Sequence, residues 1–98
     1  MQTDRTYFTY FDAIENAKGG KKFTVAYRVV NGSINFEVAA CNERDQFCRR
    51  IGRAIAEGRL LKHGGVVLGP DTLTHKQIHN RLNRVVADLE HDMKAKAA

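Results

Sequence analysis

The sequence has no tryptophan, one proline, one serine and only two cysteines among its 98 residues. Two cysteines cannot build a disulfide framework, so we expect a reduced protein inside the cell. No apolar run reaches the ~18–20 residues that cross a bilayer, and no basic segment followed by an apolar one marks a secretory signal. With 43% apolar and 28% charged residues, the composition predicts one cytoplasmic domain, residues 1–98.

The formal net charge of +5 is concentrated in one short part of the sequence. Residues 1–45 hold six Lys/Arg and six Asp/Glu, and residues 63–98 hold five and four. The basic segment, residues 46–62, has five basic side chains against Glu57 alone: Arg49, Arg50, Arg53, Arg59 and Lys62. Such a cluster attracts phosphates or an acidic protein surface, unless it is only the solvated face of a helix.

The clearest structural signal is Asn31-Gly32 between two runs of alternating apolar residues. It predicts a β-hairpin with a type I′ turn, in which Val30 pairs with Ser33. In that register every large apolar side chain of both strands lies on one face, and the small and polar ones lie on the other. Upstream, residues 6–13 predict a third strand covered on both faces, because its aromatic side chains point both ways.

A first helix is predicted to begin at Asn42, with Asp45 as its capping partner. Its apolar positions recur at helical spacing and end at a glycine: Phe47, Ile51, Ala54, Ile55 and Gly58. We expect this stripe to cover the apolar face of the hairpin. Arg49 and Arg53 then point directly into solvent, with Arg50 on the flank.

After the first helix the pattern breaks, and residues 66–68 fit either a short fourth strand or a loop. A second helix is predicted to begin at Thr74, because Thr74 and Gln77 match a capping box and Leu73 and Ile78 match a hydrophobic staple. Its apolar stripe comprises Ile78, Leu82, Val85, Leu89 and Met93. Where the sheet leaves that stripe uncovered, the second helix offers a surface for a homodimer.

These elements predict an α+β fold: a three-stranded antiparallel sheet in the order β-β-β-α-α, with a short fourth strand left open, covered by two helices. Residues with catalytic or metal-binding chemistry lack the necessary spacing. His75 and His79 are one helical turn apart but have no glutamate base between them, and Cys41 and Cys48 lack Cys-x-x-Cys spacing. No phosphate-binding glycine loop and no nucleophile elbow occur. We therefore expect no enzyme activity, no metal and no cofactor.

Residues 45–60, DQFCRRIGRAIAEGRL, follow the predicted hairpin. Together these parts resemble a segment of small uncharacterised bacteriophage early or accessory proteins, over less than half of the chain. The resemblance implies a non-enzymatic protein that acts in the cytoplasm of a bacterial host. Such proteins bind host machinery, defence proteins or nucleic acid, and the resemblance identifies no functional residue.

Two functions remain open from the sequence. In the first, arginine forks of a basic helix face bind the phosphate oxygens of nucleic acid or a nucleoprotein. In the second, the same side chains anchor an inhibitor or adaptor on an acidic surface of a host defence or regulatory protein. Both hypotheses use the same five residues and involve no membrane: Arg49, Arg50, Arg53, Arg59 and Lys62.

Overall fold

The computed structural model describes residues 5–12, 21–42 and 48–97. Within them the chain forms β1 (Tyr7–Asp12), β2 (Lys21–Val30), β3 (Ser33–Asn42), α1 (Cys48–His63), β4 (Val66–Pro70) and α2 (His75–Ala97). The strands form one antiparallel sheet in the order β1-β2-β3-β4. The predicted α+β class is confirmed, and residues 66–68 belong to a fourth strand.

The predicted hairpin is present in the predicted register. Asn31 and Gly32 have φ angles of 49° and 81°, the positive values that a type I′ turn requires. Val30 lies opposite Ser33, and the pairing continues without a shift along both ten-residue strands. A slip of one residue would move all the large apolar side chains to the other face, so packing and turn enforce the same register.

The two faces of the sheet differ in side-chain size, and each is covered by one helix. The large face carries Phe11, Phe23, Val25, Ile34 and Phe36, and α2 packs on it through Ile78, Leu82 and Val86. On the small face, Ala26 and Ala39 pack against Ala56 and Leu60 of α1. Strand β1 contributes to both layers, as predicted, through Phe11 on one side and Phe8 on the other.

Helix α1 thus lies on the opposite face from the predicted one, and the described residues of the expected stripe do not pack on the sheet. Gly52 approaches the small face so closely that an added Cβ would lie 2.5 Å from Oγ1 of Thr24. The large face is already occupied by α2, whose long side chains fill it. The small face leaves room only for a helix that approaches with small residues, which turns Ile51 and Ile55 away from the sheet.

The start of α1 also differs from the prediction. Asn42 is the last residue of β3 and not a helix cap, since it pairs with Lys21 in the sheet. The first described helical residue is Cys48. The predicted cap Asp45 and the first stripe residue Phe47 lie outside the described residues.

Helix α1 does not end at Gly58 but continues to His63. Leu60 is buried in the contact with the sheet, so ending the helix at Gly58 would lose an apolar anchor worth ~1.5–3 kcal/mol. The chain turns out of the helix at Gly64, which has a φ of 79° and donates its N–H to the Leu60 carbonyl at 2.9 Å. The side chain of Asn35 donates to the Gly64 carbonyl at 2.8 Å and ties this end to β3.

The capping box at the start of α2 is confirmed. The Gln77 N–H donates to the Thr74 hydroxyl oxygen at 3.2 Å, and the Thr74 N–H donates to Oε1 of Gln77 at 2.9 Å. Leu73 and Ile78, the predicted staple, both pack in the core on the large face. The two local signals at this helix start therefore agree with the tertiary packing.

The apolar stripe of α2 packs on the sheet along much of its length. Leu82 and Val86 are buried, and Val85 is partly buried against the same core. Beyond them Leu89 is exposed. The sheet therefore covers the predicted homodimer surface of α2 as far along the helix as Val86.

We expect Gly52→Ala to destabilise the protein, because overpacking costs ~1–3 kcal/mol and the gain in helix propensity is only ~1 kcal/mol. Gly58→Ala is the matched control, since a Cβ there meets nothing within 4 Å. It should stabilise the protein by roughly 0.5–1 kcal/mol. Urea unfolding measures both, and adding Thr24→Ala to Gly52→Ala should restore part of the loss. Equal stability of the two glycine variants would contradict the close packing of α1.

Burial, together with the charge of Tyr7, raises the pKa of the Tyr27 phenol above its usual 10.0. The two rings stack with their centroids 5.4 Å apart. The folded state therefore holds this proton more tightly than the unfolded state. Its contribution to stability is complete below pH 10 and is lost as the pH rises through the folded pKa. We expect Tyr27→Phe to lose less stability than the wild type between about pH 9 and 11 in urea titrations; parallel losses would contradict this.

Candidate functional site

Helix α1 presents apolar side chains to solvent on the side away from the sheet. Ile51 and Ile55 are each 42% exposed and Leu61 is 59% exposed. Ala54 and Gly58 are exposed between them. These five residues form what we term the apolar α1 face. It is most of the stripe that the sequence assigns to the core, extended by Leu61 in the next turn.

The centre of the apolar α1 face is a shallow depression between larger side chains. Gly58 has no side chain and nothing within 4 Å of the place where a Cβ would stand. Ala54 lies beside it on the next turn, at about 100° per residue, and the larger Ile51, Ile55 and Leu61 surround the two small residues. A partner can therefore approach the backbone of α1 closely at Gly58 and be held by apolar side chains around it.

The described side chains of the basic segment do not form the single outward ridge that the sequence predicts. The Arg53 Cζ lies 5.9 Å from the centroid of the Phe8 ring, so this guanidinium leans towards β1. On the other flank, Nη1 of Arg59 donates to the Val38 carbonyl at 3.1 Å. Strand β4 pairs with β3 only as far as Phe36, so Val38 lies beyond its end and Arg59 covers that stretch of strand edge.

Arg53 is exposed, as predicted, but it leans towards β1, because the rotation of α1 puts apolar residues on the side of the helix opposite the sheet. Arg50 and Lys62 are exposed beside the apolar α1 face. The side chain of Arg49 is outside the part of the chain that the structure describes. The four described basic residues of the segment thus lie on several sides of the apolar face and do not themselves form a continuous cationic ridge.

The rim of the apolar α1 face is cationic. Helix α1 contains a single carboxylate, Glu57. Across residues 5–12, 21–42 and 48–97, neither Arg50 nor Lys62 has a carboxylate partner within ion-pair distance. Among the described residues, no acidic neighbour within ion-pair distance offsets their charge, which attracts anions.

A second polar surface, which the sequence analysis does not predict, lies on α2. Gln77, Asn80, Arg81 and Arg84 line a groove of about 260 Å³. The Nη1 group of Arg81 donates to the Leu68 carbonyl at 3.1 Å and so holds the guanidinium against β4. A local feature of the sequence indicates this surface: no Asp or Glu occurs between Asp71 and Asp88. Charge counted over all of residues 63–98 conceals this gap.

The described residues contain no group of three or more His, Cys, Asp and Glu side chains that could hold a metal ion. The ring of His79 packs against Phe11 with centroids 4.9 Å apart. Cys41 lies in β3, and Cys48 is the first residue of α1. None of the helices in the described ranges is long and apolar enough to cross a membrane.

Comparisons of the chain with protein-family models, with curated proteins and with solved structures give no match. The resemblance of residues 45–60 to phage accessory proteins therefore stays a prediction. The described part of the molecule offers two candidate binding surfaces, the apolar α1 face with its basic rim and the polar groove on α2.

The rotation of α1 predicts that substitutions of two of its apolar residues change the stability by very different amounts. Ile55→Gln should change the free energy of unfolding by roughly 1 kcal/mol or less, because much of the side chain is already in water. Leu60→Ala should cost about 2–5 kcal/mol, because Leu60 is buried against the small face. Urea denaturation distinguishes the two. A larger loss from Ile55→Gln would mean that the stripe predicted from the sequence packs on the sheet after all.

Proposed function

We propose that this chain is a non-enzymatic binding module that docks through the apolar α1 face on an acidic protein surface. The observation that carries the proposal is the exposure of Ile51, Ile55 and Leu61 together on one helix face. Isolated exposed apolar residues are ordinary, but a contiguous patch with a polar rim is typical of an interaction surface.

A protein partner suits this face better than a nucleic-acid backbone does. Each of the exposed side chains gains free energy only against apolar atoms, at ~25 cal/mol per Å² removed from water. A phosphate backbone offers charged oxygens there and would leave the isoleucines unpaired. The nucleic-acid hypothesis for the basic segment also needs an outward ridge of arginines, whereas Arg53 and Arg59 lean on the sheet.

The rim indicates the charge of the partner. Arg50 and Lys62 stand beside the apolar face with no carboxylate partner in the described residues. An acidic surface would be steered towards them, and arginine is enriched among the residues that dominate binding energy. A second copy of this chain fits less well, because two such rims would repel each other at close range.

A helix is the partner element that matches the shape of the face. Ala54 and Gly58 leave a low centre, and the larger apolar side chains around it can interlock with the ridges of another helix. An amphipathic helix with glutamates beside its apolar stripe would place carboxylates against Arg50 and Lys62. Residues 45–60 resemble a segment of phage accessory proteins. If the protein is one of them, its natural partner is a host defence or regulatory protein, which it inhibits or recruits.

The experiment uses two synthetic helical peptides with the same leucine stripe, one flanked by glutamates and the other by lysines. Fluorescence anisotropy should show binding of the glutamate peptide and little binding of the lysine peptide. Replacing Ile51 and Ile55 with glutamine should weaken binding at least about tenfold, since each lost contact is worth ~1 kcal/mol or more. Arg50→Gln should weaken binding mainly at low salt.

The matched control is Val67→Gln, which removes an apolar residue that is 63% exposed on β4. It should leave the affinity for the glutamate peptide unchanged. The same variants serve in capture from a nuclease-treated bacterial lysate, where a stoichiometric protein should be lost with the α1 variant and kept with the control. Equal binding of the two peptides would refute the proposal. So would capture of the same protein by the variant in which Ile51 and Ile55 are replaced.

A further inference from the structure

The N-terminal half of α2 combines exposed basic and carboxamide side chains and has no acidic neighbour in the sequence. Between Asp71 and Asp88 the only charged residues at neutral pH, with histidines neutral, are Lys76, Arg81 and Arg84. The carboxamides Gln77, Asn80 and Asn83 lie among them, and all six side chains are exposed. The helix carries no Phe, Tyr or Trp.

The groove on this half of α2 has a side chain fixed in place by the fold. Arg81 donates from Nη1 to the Leu68 carbonyl at 3.1 Å. A Cβ at Gly69 would lie 2.6 Å from the same nitrogen and 2.8 Å from Cδ1 of Leu73. Glycine at this position therefore leaves the space that the guanidinium occupies. The other N–H groups of the guanidinium fork remain to donate into the groove.

Gln77 is also oriented by its surroundings. Its Oε1 accepts the Thr74 N–H of the capping box, so the NH₂ branch of the carboxamide is left to donate. Arg84 completes the lining with a second guanidinium that has no carboxylate partner in the described residues. The groove thus offers donors from amide and guanidinium groups, which is the chemistry that binds phosphate oxygens.

We propose that the N-terminal half of α2 is a binding surface for double-stranded DNA, with a backbone phosphate in the groove of Gln77, Asn80, Arg81 and Arg84. The proposal is independent of the docking function of α1, because the two helices lie on opposite faces of the sheet. The exposed row Lys76, Asn80 and Arg84 follows one side of the helix at intervals of four residues and extends the contact along it.

A DNA duplex fits this surface better than single strands or RNA. The major groove of B-DNA admits an α-helix, and the phosphates along its edges then come within reach of the groove residues on α2. Single-strand sites use aromatic platforms, which α2 lacks, and the deep groove of an RNA duplex excludes side chains. The carboxylates of Asp88 and Asp92 further along α2 would repel phosphates, which limits the contact to the first half of the helix.

The experiment is fluorescence anisotropy with a labelled DNA duplex of about 20 base pairs, titrated from ~50 mM salt upwards. Three cationic contacts predict a slope of log K against log salt of about −2.5 to −3. Lys76→Gln with Arg84→Gln should weaken binding at least about tenfold and lower the slope by roughly 2. Both residues are exposed, so the fold should persist, and circular dichroism checks it.

The matched control is Lys94→Gln with Lys96→Gln, which removes the same charge from the same helix beyond its acidic residues. It should leave duplex affinity unchanged; an equal loss would mean that binding follows net charge alone and would overturn the proposal. Tighter binding of single-stranded DNA or of an RNA duplex would also overturn it, as would no binding at ~50 mM salt. The α1 variant with glutamine at positions 51 and 55 should bind DNA like the wild type, which separates this surface from the proposed docking function.

Discussion

The close contact between Gly52 and Thr24 sets the rotation of α1, and the rotation decides which of its side chains meet solvent. Two small surfaces meet there, glycine and alanine from the helix and threonine and alanine from the sheet. Dispersion forces fall steeply with distance, so this contact holds only if the helix keeps its smallest residues towards the strands. Ile51 and Ile55 are then directed outwards, and the arginines of the basic segment are distributed around the helix.

Local signals in the sequence predict the hairpin and the start of α2, because each is determined by a few neighbouring residues. Asn31-Gly32 requires a particular turn, and Thr74 with Gln77 satisfies two backbone donors within one turn. The placement of α1 is not local. An apolar stripe predicts that a helix packs on another element but does not identify the surface that it covers. Both helices have such a stripe, and only the tertiary structure shows that α2 occupies the large face.

The candidate site is predicted in part, and for the same reason. The charge count correctly identifies the basic segment as exposed helix, since Arg50, Arg53 and Lys62 are all at the surface. Its expected geometry depends on the rotation of α1, which the alternation of Thr24, Ala26 and Ala39 on the small face could have indicated. The sequence does not indicate the surface on α2 when charge is counted over all of residues 63–98, because Asp71, Asp88, Glu90 and Asp92 then offset the basic residues of its first half.

The two proposed surfaces both attract anions, but they differ in the uncharged residues beside their basic side chains. On α1, Arg50 and Lys62 border the exposed isoleucine and leucine side chains of the apolar face, which gain nothing from phosphate and much from an apolar partner. On α2, Arg81 and Arg84 line the groove together with the carboxamides of Gln77 and Asn80, whose free N–H groups would lack hydrogen-bond partners beneath an apolar protein surface. Each surface therefore penalises the ligand of the other, and the intervening sheet allows both to be occupied on one molecule.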